Sequence, residues 1–225
     1  KNIKKFSNSL KALKNLKYKV CFVDGSKNDE TVKEIKKNFK KNFVILKEKK
    51  KLGRPSSRCL ASRIGFEWSV KQKNYELIVD IDCDLANNPN EIINAIKLFN
   101  KKNYDIILAS KYLPGSSVIG RALFRRLLSW IYTTICKIFI SNKISDYSNS
   151  YRFYKKQKLK DLLKKPIIFD SPIQHLENLK FFIYNKYKIG EIKTQYIERK
   201  SGKSAIKFVH LFKYFFDFVK SLVKN

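Results

Sequence analysis

The 225-residue sequence contains no methionine. A chain without methionine does not start at its own initiator, so we expect a further segment upstream of Lys1. We find no pattern typical of a signal peptide. The sequence also lacks a charge-free apolar run of the roughly 18 to 20 residues that cross a bilayer, and we therefore expect no membrane-spanning helix.

Cysteines at metal-binding spacing are missing as well. Cys21, Cys59, Cys83 and Cys136 lie far apart and form no CxxC pair. This distribution indicates neither a zinc site nor a disulfide framework. A reducing compartment is the expectation.

Acidic residues are few. The chain has 49 Lys and Arg against 19 Asp and Glu, a formal net charge of +30, yet its 44% hydrophobic content favours a folded core over disorder. The lysine excess fits a compositional bias, a nucleic-acid surface or an anionic membrane surface, and charge alone does not separate them. Since aromatic residues are not interleaved with arginine in an RNA-binding motif, we expect nucleic acid not to be a partner.

Strand-like and helix-like segments alternate along the first 110 residues. Helical spacing is found in NIKKFSNSLKALKNL and over residues 30–41, 56–72 and 90–101, and strands are predicted at YKVCFV, NFVIL, YELIVDI and YDIILAS. Strands joined by single helices predict an α/β fold with a mostly parallel sheet and helices on both faces. In such sheets a ligand lies beyond the carboxyl ends of the strands.

The scarce acids concentrate at two of these strand ends. Asp24 follows the first strand, and Asp80, Asp82 and Asp84 follow the third. In extended backbone, alternate side chains lie on one side, about 6.5 to 7 Å apart. Carboxylates that close repel each other unless a cation intervenes, and Mg²⁺ or Mn²⁺ takes such oxygen ligands together with phosphates. The alternative is that Asp84 caps the following helix and Asp82 is solvated.

Several motifs in series resemble a known family. VDGS, DCDLANNP and ASKYLPGS are similar to the family 2 glycosyltransferases of the GT-A fold, and RALFRRLLS, DYSNSYRFY and ERKSGKS narrow the resemblance to dolichol- and polyprenyl-phosphate sugar transferases. The resemblance runs from residue 1 to about residue 207. It implies a GDP- or UDP-linked sugar donor and a lipid phosphate acceptor. The family's first strand would precede Lys1, so we expect an N-terminal strand to be missing from this chain.

The resemblance also assigns donor-side roles. Asp24 matches the carboxylate that contacts the nucleotide. Asp82 and Asp84 match the catalytic carboxylates that hold the metal, Mg²⁺ or Mn²⁺, on the donor diphosphate. Asp80 lies where the family usually has no acid, so it is interpreted as an auxiliary ligand or as a buried, paired carboxylate, of which we favour the second.

On the acceptor side, the resemblance implies that Lys111, Arg125 and Ser129 bind the lipid phosphate, with Arg125 counted among the catalytic residues. An ionised phosphate oxygen is already a nucleophile, so no general base is needed, and in-line attack inverts the anomeric carbon. The alternative for Arg125 is a helix residue that extends its charge to solvent. A saccharide hydroxyl acceptor would instead require a base, for which Asp146 or Glu177 is the candidate. A degenerate, non-catalytic chain is a further alternative.

Two later motifs match further substrate contacts. Asp146 and Arg152 either face the donor site or pair structurally, and the sequence leaves both open. Arg199 and Ser204 lie in a segment that resembles a mobile lid over the phosphates.

The C-terminal tail is amphipathic. At 100° per residue one half of the helical wheel is apolar: Phe208, Val209, Leu211, Phe212, Phe215, Phe216, Phe218, Val219, Leu222 and Val223. Such a face opposite lysines is typical of a helix in the interface of an anionic membrane, and a terminal helix packed on the domain is the alternative. We predict a glycosyltransferase domain over residues 1–204 and an interface helix over 205–225. The apolar residues 127–140 are either core or a bilayer surface, and the expected location is peripheral, at the cytoplasmic face of a membrane.

Overall fold

A computed structural model describes residues 2–26, 28–48, 58–198 and 208–223 of the protein. The helices are α1 (Asn2–Ser9), α2 (Glu30–Asn38), α3 (Arg58–Ser69), α4 (Glu91–Lys102), α5 (Leu123–Phe139), α6 (Lys156–Leu163), α7 (Gln174–Tyr184) and α8 (Phe208–Val223). The strands are β1 (Val20–Asp24), β2 (Phe43–Lys47), β3 (Leu77–Asp80), β4 (Ile106–Ser110), β5 (Ser117–Ile119), β6 (Arg152–Lys155), β7 (Ile189–Lys193) and β8 (Gln195–Ile197). The helix and strand alternation predicted for the first 110 residues is confirmed, with the ends of elements shifted by a few residues.

The strands form three sheets. β1 pairs with β2 in parallel, β5 pairs with β8 in parallel, and the central sheet has the order β3-β6-β4-β7. In the central sheet β4 and β7 are parallel, whereas β6 runs antiparallel to β3 and β4. Three of these five pairings are parallel, as the α/β expectation requires. The sequence did not predict β6, because four residues are too few for periodicity to indicate a strand or its direction.

Helices cover both faces of the central sheet, and β4 shows why. Its five residues are all buried. Ile106 and Leu108 pack in a cluster to which α3, α5, α6, α7 and α8 contribute, whereas Ile107 and Ala109 pack against α4. Because successive strand side chains point to opposite faces, an uninterrupted apolar run fills both cores.

A separate cluster holds the N-terminal part together. Phe22 of β1 packs with Phe6 of α1 and with Ile35 of α2. The ring of Phe39 lies 4.9 Å from that of Phe22, centroid to centroid, in an edge-to-face arrangement. Helices α1 and α2 therefore close over the β1–β2 sheet.

An open groove of about 610 Å³ separates β1 from β3. In the part of the chain that the structure describes, β1 pairs with β2 alone and β3 pairs with β6 alone. Both strands line the groove, and α3 lies against it through Gly65 and Phe66. Both strands thus present an edge to one groove, with no strand of the described residues between them, and the missing N-terminal strand stays a prediction.

The C-terminal helix packs on the domain. Its Phe218 ring lies 4.9 Å from the Tyr132 ring of α5, centroid to centroid, and Ser221 donates its hydroxyl to Glu177 of α7 at 2.5 Å. Lys180 of α7 pairs with Glu177 at 3.2 Å and donates to the Ser221 carbonyl. The sequence offered packing on the domain as the alternative to a membrane face, and one side of α8 takes that role.

Candidate active site

The first strand ends at an ionised carboxylate. Asp24 accepts the Ser26 backbone N–H at 3.1 Å on Oδ1, and Lys47 Nζ lies 3.1 Å from its Oδ2. Burial alone raises the pKa of Asp24, but the hydrogen bonds from Ser26 and Lys47 outweigh burial and hold the pKa below its ordinary value. The nucleotide-contacting residue predicted from sequence is thus a negative group at the carboxyl end of β1.

Arg58, at the start of α3, links the acids that follow β3. Its Nη2 lies 3.3 Å from Asp80 Oδ1, and its Nη1 contacts Asp82. Ser62, one helical turn later, donates its hydroxyl to Asp80 Oδ2 at 3.1 Å. Asp80 is therefore a paired carboxylate, as the sequence interpretation favoured. Asp82 keeps 42% of its side chain exposed.

Asp84 shapes the loop after β3. Its Oδ1 accepts the backbone N–H of Ala86 at 2.9 Å, across Leu85, whose φ of 67° lies in the left-handed region that non-glycine residues rarely adopt. Helix α4 begins later, with Asn90 at its N-cap position, so Asp84 does not cap that helix. The Ala86 carbonyl accepts the N–H of Ile197 at 2.9 Å, which joins this loop to β8.

The segment that follows β3, which we call the donor edge, carries Asp82 and Asp84. Their carboxylate oxygens are ligands that suit a hard divalent cation. Arg58 already places positive charge beside Asp80 and Asp82, so a bound cation would share or take over that role. Within the described ranges no group of three or more His, Cys, Asp or Glu side chains is placed to hold a metal. A metal held by Asp82 and Asp84 would thus take its other ligands from substrate or water.

The predicted acceptor-side residues form a buried network. Lys111 Nζ pairs with Asp146 Oδ2 at 3.0 Å, and the Lys111 backbone N–H donates to the same oxygen at 2.9 Å. The two side chains are 3% and 0% exposed. Burial lowers the pKa of Lys111 against the pull of Asp146, whereas Lys111 overcomes burial to hold the pKa of Asp146 below its ordinary value. The charge of Lys111 is therefore balanced inside the protein.

Hydroxyl groups extend this network to α5. Ser148 lies 3.0 Å from Lys111 Nζ through its Oγ, and 2.7 Å from the Oγ of Ser129. Tyr112 donates its hydroxyl to Ser129 at 3.1 Å. Lys111 and Ser129, which the sequence assigned to one phosphate site, are hence separated by a single hydroxyl group.

The loop that carries Asp146 is held from β7. Glu191 accepts the Ser145 backbone N–H at 3.0 to 3.1 Å and the Ser145 hydroxyl at 2.8 Å. The Asn149 amide donates to the Ala109 carbonyl at 2.8 Å. These contacts position Asp146 opposite Lys111.

Arg152 lies deep in the protein rather than at an open site. It is 1% exposed, its Nη1 donates to the His175 carbonyl at 2.7 Å, and its Nε donates to the Asn149 carbonyl at 3.3 Å. These contacts are to backbone carbonyls, and the predicted role of Arg152 at the donor site stays a prediction. Asp146 forms its ion pair with Lys111.

Arg125 is the exposed member of the acceptor group. Its Nη1 donates to Glu198 Oε1 at 3.1 Å, just after the end of β8. Arg199 and Ser204, the predicted lid residues, lie outside the described residues, so their role stays a prediction.

Sequence reasoning gave no role to several charged residues of the site, among them Arg58, Arg121 and Glu198. Arg121 places its Cζ 5.3 Å from the ring centroid of Tyr196 and its Nε 3.9 Å from Glu198 Oε2. A weak signal existed for Glu198, which is the first residue of the ERKSGKS motif. Arg58 stands at the start of the helix that faces the Asp80 edge, but no motif marked it.

Helices α5 and α8 present large apolar side chains to solvent. The exposed set is Leu123, Phe124, Leu127, Leu128, Trp130, Ile131, Ile138 and Phe139 on α5, and Phe212, Phe215, Phe216, Val219 and Val223 on α8. The opposite side of α5 is buried through Ser129, Thr133 and Cys136. In the described residues no helix is both long and apolar enough to traverse a bilayer.

Comparison with known proteins gives a family match over most of the chain. The sequence profile of Glycosyl transferase family 2 matches residues 1–163. An undecaprenyl-phosphate mannosyltransferase of Micrococcus luteus is 22% identical over 96 residues, which are 43% of this chain and 38% of that protein. A polyprenol monophosphomannose synthase of Mycolicibacterium smegmatis is 23% identical over 140 residues, 62% of this chain and 52% of that protein. The chain thus spans about half or less of the length of these relatives.

Among solved structures, a putative nucleotide-diphospho-sugar transferase from Desulfovibrio desulfuricans aligns with a TM-score of 0.49 at 7% identity. The alignment covers 98% of this chain and 84% of that one.

Proposed function

Since the chain belongs to glycosyl transferase family 2, we propose that it transfers a sugar from a GDP- or UDP-linked donor to polyprenyl phosphate at a membrane surface. The observation that carries the proposal is the network in which Lys111 and Ser129 meet through Ser148. Sequence resemblance assigns Lys111 and Ser129 to the lipid phosphate. The names of the two mannosyl-transferring relatives support the same acceptor class.

On the donor side, Asp24 would contact the nucleotide, and Asp82 and Asp84 would hold Mg²⁺ or Mn²⁺. That cation would neutralise the charge of the leaving diphosphate. The exposure of Asp82 supports this role, because a carboxylate open to solvent can accept a substrate-borne ligand. Arg58, which now contacts Asp82, would be free to turn toward the donor diphosphate and bind it in the bidentate manner typical of arginine.

On the acceptor side, the phosphate oxygen would attack the anomeric carbon in line and invert it, without a general base. The contacts of the two candidate bases, Asp146 and Glu177, support a phosphate acceptor over a saccharide hydroxyl. Asp146 forms an ion pair with Lys111. Glu177 forms an ion pair with Lys180 and accepts a hydrogen bond from Ser221. A base that is fully engaged in a buried ion pair is poorly placed to take a proton from a substrate.

The exposed apolar residues of α5 support a lipid as the carrier of that phosphate. Leu123 and Phe124 immediately precede Arg125, and Leu128 adjoins Ser129, so apolar and phosphate-binding groups alternate along one helix. A contiguous apolar surface rimmed by cations is typical of a membrane contact. We extend the proposal to a peripheral position at the cytoplasmic face of the membrane, with residues 1–204 as the catalytic domain and residues 205–225 as an interface helix.

The test is a transfer assay on the full-length protein. Labelled GDP-mannose, UDP-glucose and UDP-GlcNAc are each incubated with polyprenyl phosphate, with Mg²⁺ or Mn²⁺ or with EDTA, and label is counted in the organic extract. We expect label from one donor, dependent on the metal. Donor binding without any label in the organic phase would contradict the proposal.

A further inference from the structure

Three cations lie at increasing depth beside β8. The side chain of Arg125 is 51% exposed, that of Arg121 20% and that of Lys111 3%. Since Asp146 balances Lys111 within the protein, an incoming anion meets the two arginines first. Neither the motifs nor the family resemblance gives Arg121 a role.

Arg121 has unused capacity to donate hydrogen bonds. Its Nε is buried without a hydrogen-bond partner in the structure, because Glu198 Oε2, at 3.9 Å, lies beyond hydrogen-bond distance. The guanidinium is held near the ring of Tyr196, which also lies 5.7 Å from Lys111 Nζ. A buried donor without an acceptor is costly, so a ligand oxygen at this position would be favourable.

Glu198 is the one carboxylate that reaches both arginines in the described part of the chain. Its Oε1 accepts a hydrogen bond from Arg125 at 3.1 Å, and its Oε2 faces Arg121. Its backbone N–H donates to the Ile119 carbonyl at 2.9 Å, which fixes it at the edge of β5. Carboxylate and phosphate oxygens suit the same guanidinium fork, so Glu198 occupies a position that also fits a phosphate.

We propose that Arg121 and Arg125 form the entry site for the phosphate monoester of the acceptor, and that Glu198 fills this site until the phosphate displaces it. A phosphate monoester carries about 1.5 to 2 negative charges at neutral pH, against one for the glutamate, so it balances both arginines better. Glu198 is a positioning residue, whereas Arg121 contacts the ligand. The lipid nature of the ligand rests on the proposed function, but the anion site does not.

The experiment measures binding of geranyl phosphate and of inorganic phosphate to the full-length protein by calorimetry. Arg121→Gln should weaken binding about tenfold, the size expected for losing one charge-assisted hydrogen-bond pair. Glu198→Gln should strengthen binding about three- to tenfold, because it removes the internal competitor. Arg126→Gln, at the next, exposed position of α5, is the matched control and should change binding less than about twofold.

Glu198→Gln distinguishes two roles of Glu198: competition with phosphate for the arginines, and stabilisation of the arginines alone. If Glu198 only stabilised the arginines, its loss would weaken binding, and that result would overturn the proposal, as would equal effects of Arg121→Gln and Arg126→Gln. Thermal unfolding checks that each variant folds, and Arg121→Lys, which keeps the charge without the fork, should bind with intermediate strength.

The two probes separate the inference from the proposed function. If inorganic phosphate alone binds and shows the variant pattern, the anion site stands and the polyprenyl acceptor fails. If neither phosphate binds while a nucleotide-sugar does, the entry site is wrong.

Discussion

The donor-side edge and the acceptor-side network hold their charges in opposite ways. After β3, the side chain of Asp82 is 42% exposed and contacts one arginine, Arg58. In the acceptor network of Lys111, Asp146, Ser148 and Ser129, Lys111 and Asp146 are buried together. Both the side-chain Nζ and the backbone N–H of Lys111 contact the same carboxylate oxygen of Asp146. The edge is thus available to an incoming cation, whereas the network is already neutral.

This difference in burial indicates which charged residues affect transfer of the sugar and which affect folding. A buried ion pair contributes to stability mainly when it is intact, since removing one partner leaves a buried charge. An exposed carboxylate contributes little to stability but is free to bind. We therefore expect substitutions at the donor edge to affect transfer more than folding, and substitutions in the acceptor network to affect folding first.

The largest expected effect is on stability. Lys111→Met leaves Asp146 buried and unpaired, so the free energy of unfolding should fall by about 3 to 5 kcal/mol. Lys111→Met combined with Asp146→Asn removes both charges and should recover a large part of that loss. Urea denaturation of the three proteins measures it. A double variant no more stable than Lys111→Met would mean that the ion pair is not the cause.

Asp84→Asn should have the next largest effect. If Asp84 holds a metal on the donor diphosphate, transfer should fall about 10²- to 10³-fold. The unfolding midpoint should change little, because Asn keeps an oxygen for the Ala86 N–H. Asp161→Asn on α6, whose carboxylate pairs with Lys164, is the control and should leave the rate unchanged. Equal transfer rates for the wild type, Asp84→Asn and Asp161→Asn would show that Asp84 does not act in transfer.

A smaller effect is expected at the apolar helices. Phe215 and Phe216 are exposed on α8, and burying a large apolar side chain in a bilayer interface is worth about 1.5 to 3 kcal/mol at most. Replacing both by Ser should lower binding to anionic vesicles about tenfold or more. Tyr184→Ser on α7, also exposed, is the control. Vesicle co-sedimentation measures the binding, and unchanged binding would argue against α8 as a membrane contact.

The smallest effect concerns acid stability. The pKa of Asp24 is held below its ordinary value, so the stability that Asp24 contributes is complete above the unfolded-state pKa, about 3.9, and is lost as the pH falls through the lower folded pKa. Asp24→Asn should therefore flatten the fall in stability below about pH 4. Glu67→Gln, which removes an exposed carboxylate of α3 that pairs with Arg63 instead of Lys47, is the control. If the stability of Asp24→Asn and of the wild type fell identically with pH below about pH 4, the lowered pKa of Asp24 would be contradicted.

Local patterns explain what the sequence predicted. The apolar runs of β1 to β4 and the acids at their ends are features of neighbouring residues, and the structure places them as expected. The partner of Lys111 is 35 positions away, and Arg58 reaches an acid 22 positions later. Such pairings depend on tertiary packing, so periodicity does not reveal them. The antiparallel direction of β6 depends on the same packing.

The identity of the acceptor is tested most directly by comparing three acceptors. Transfer of labelled sugar by the full-length protein is measured with polyprenyl phosphate, with the corresponding polyprenol and with a free saccharide, under identical conditions. We expect label in the lipid phosphate alone, because the phosphate oxygen is the nucleophile that needs no base. Equal transfer to the polyprenol, or transfer to the saccharide instead, would contradict it.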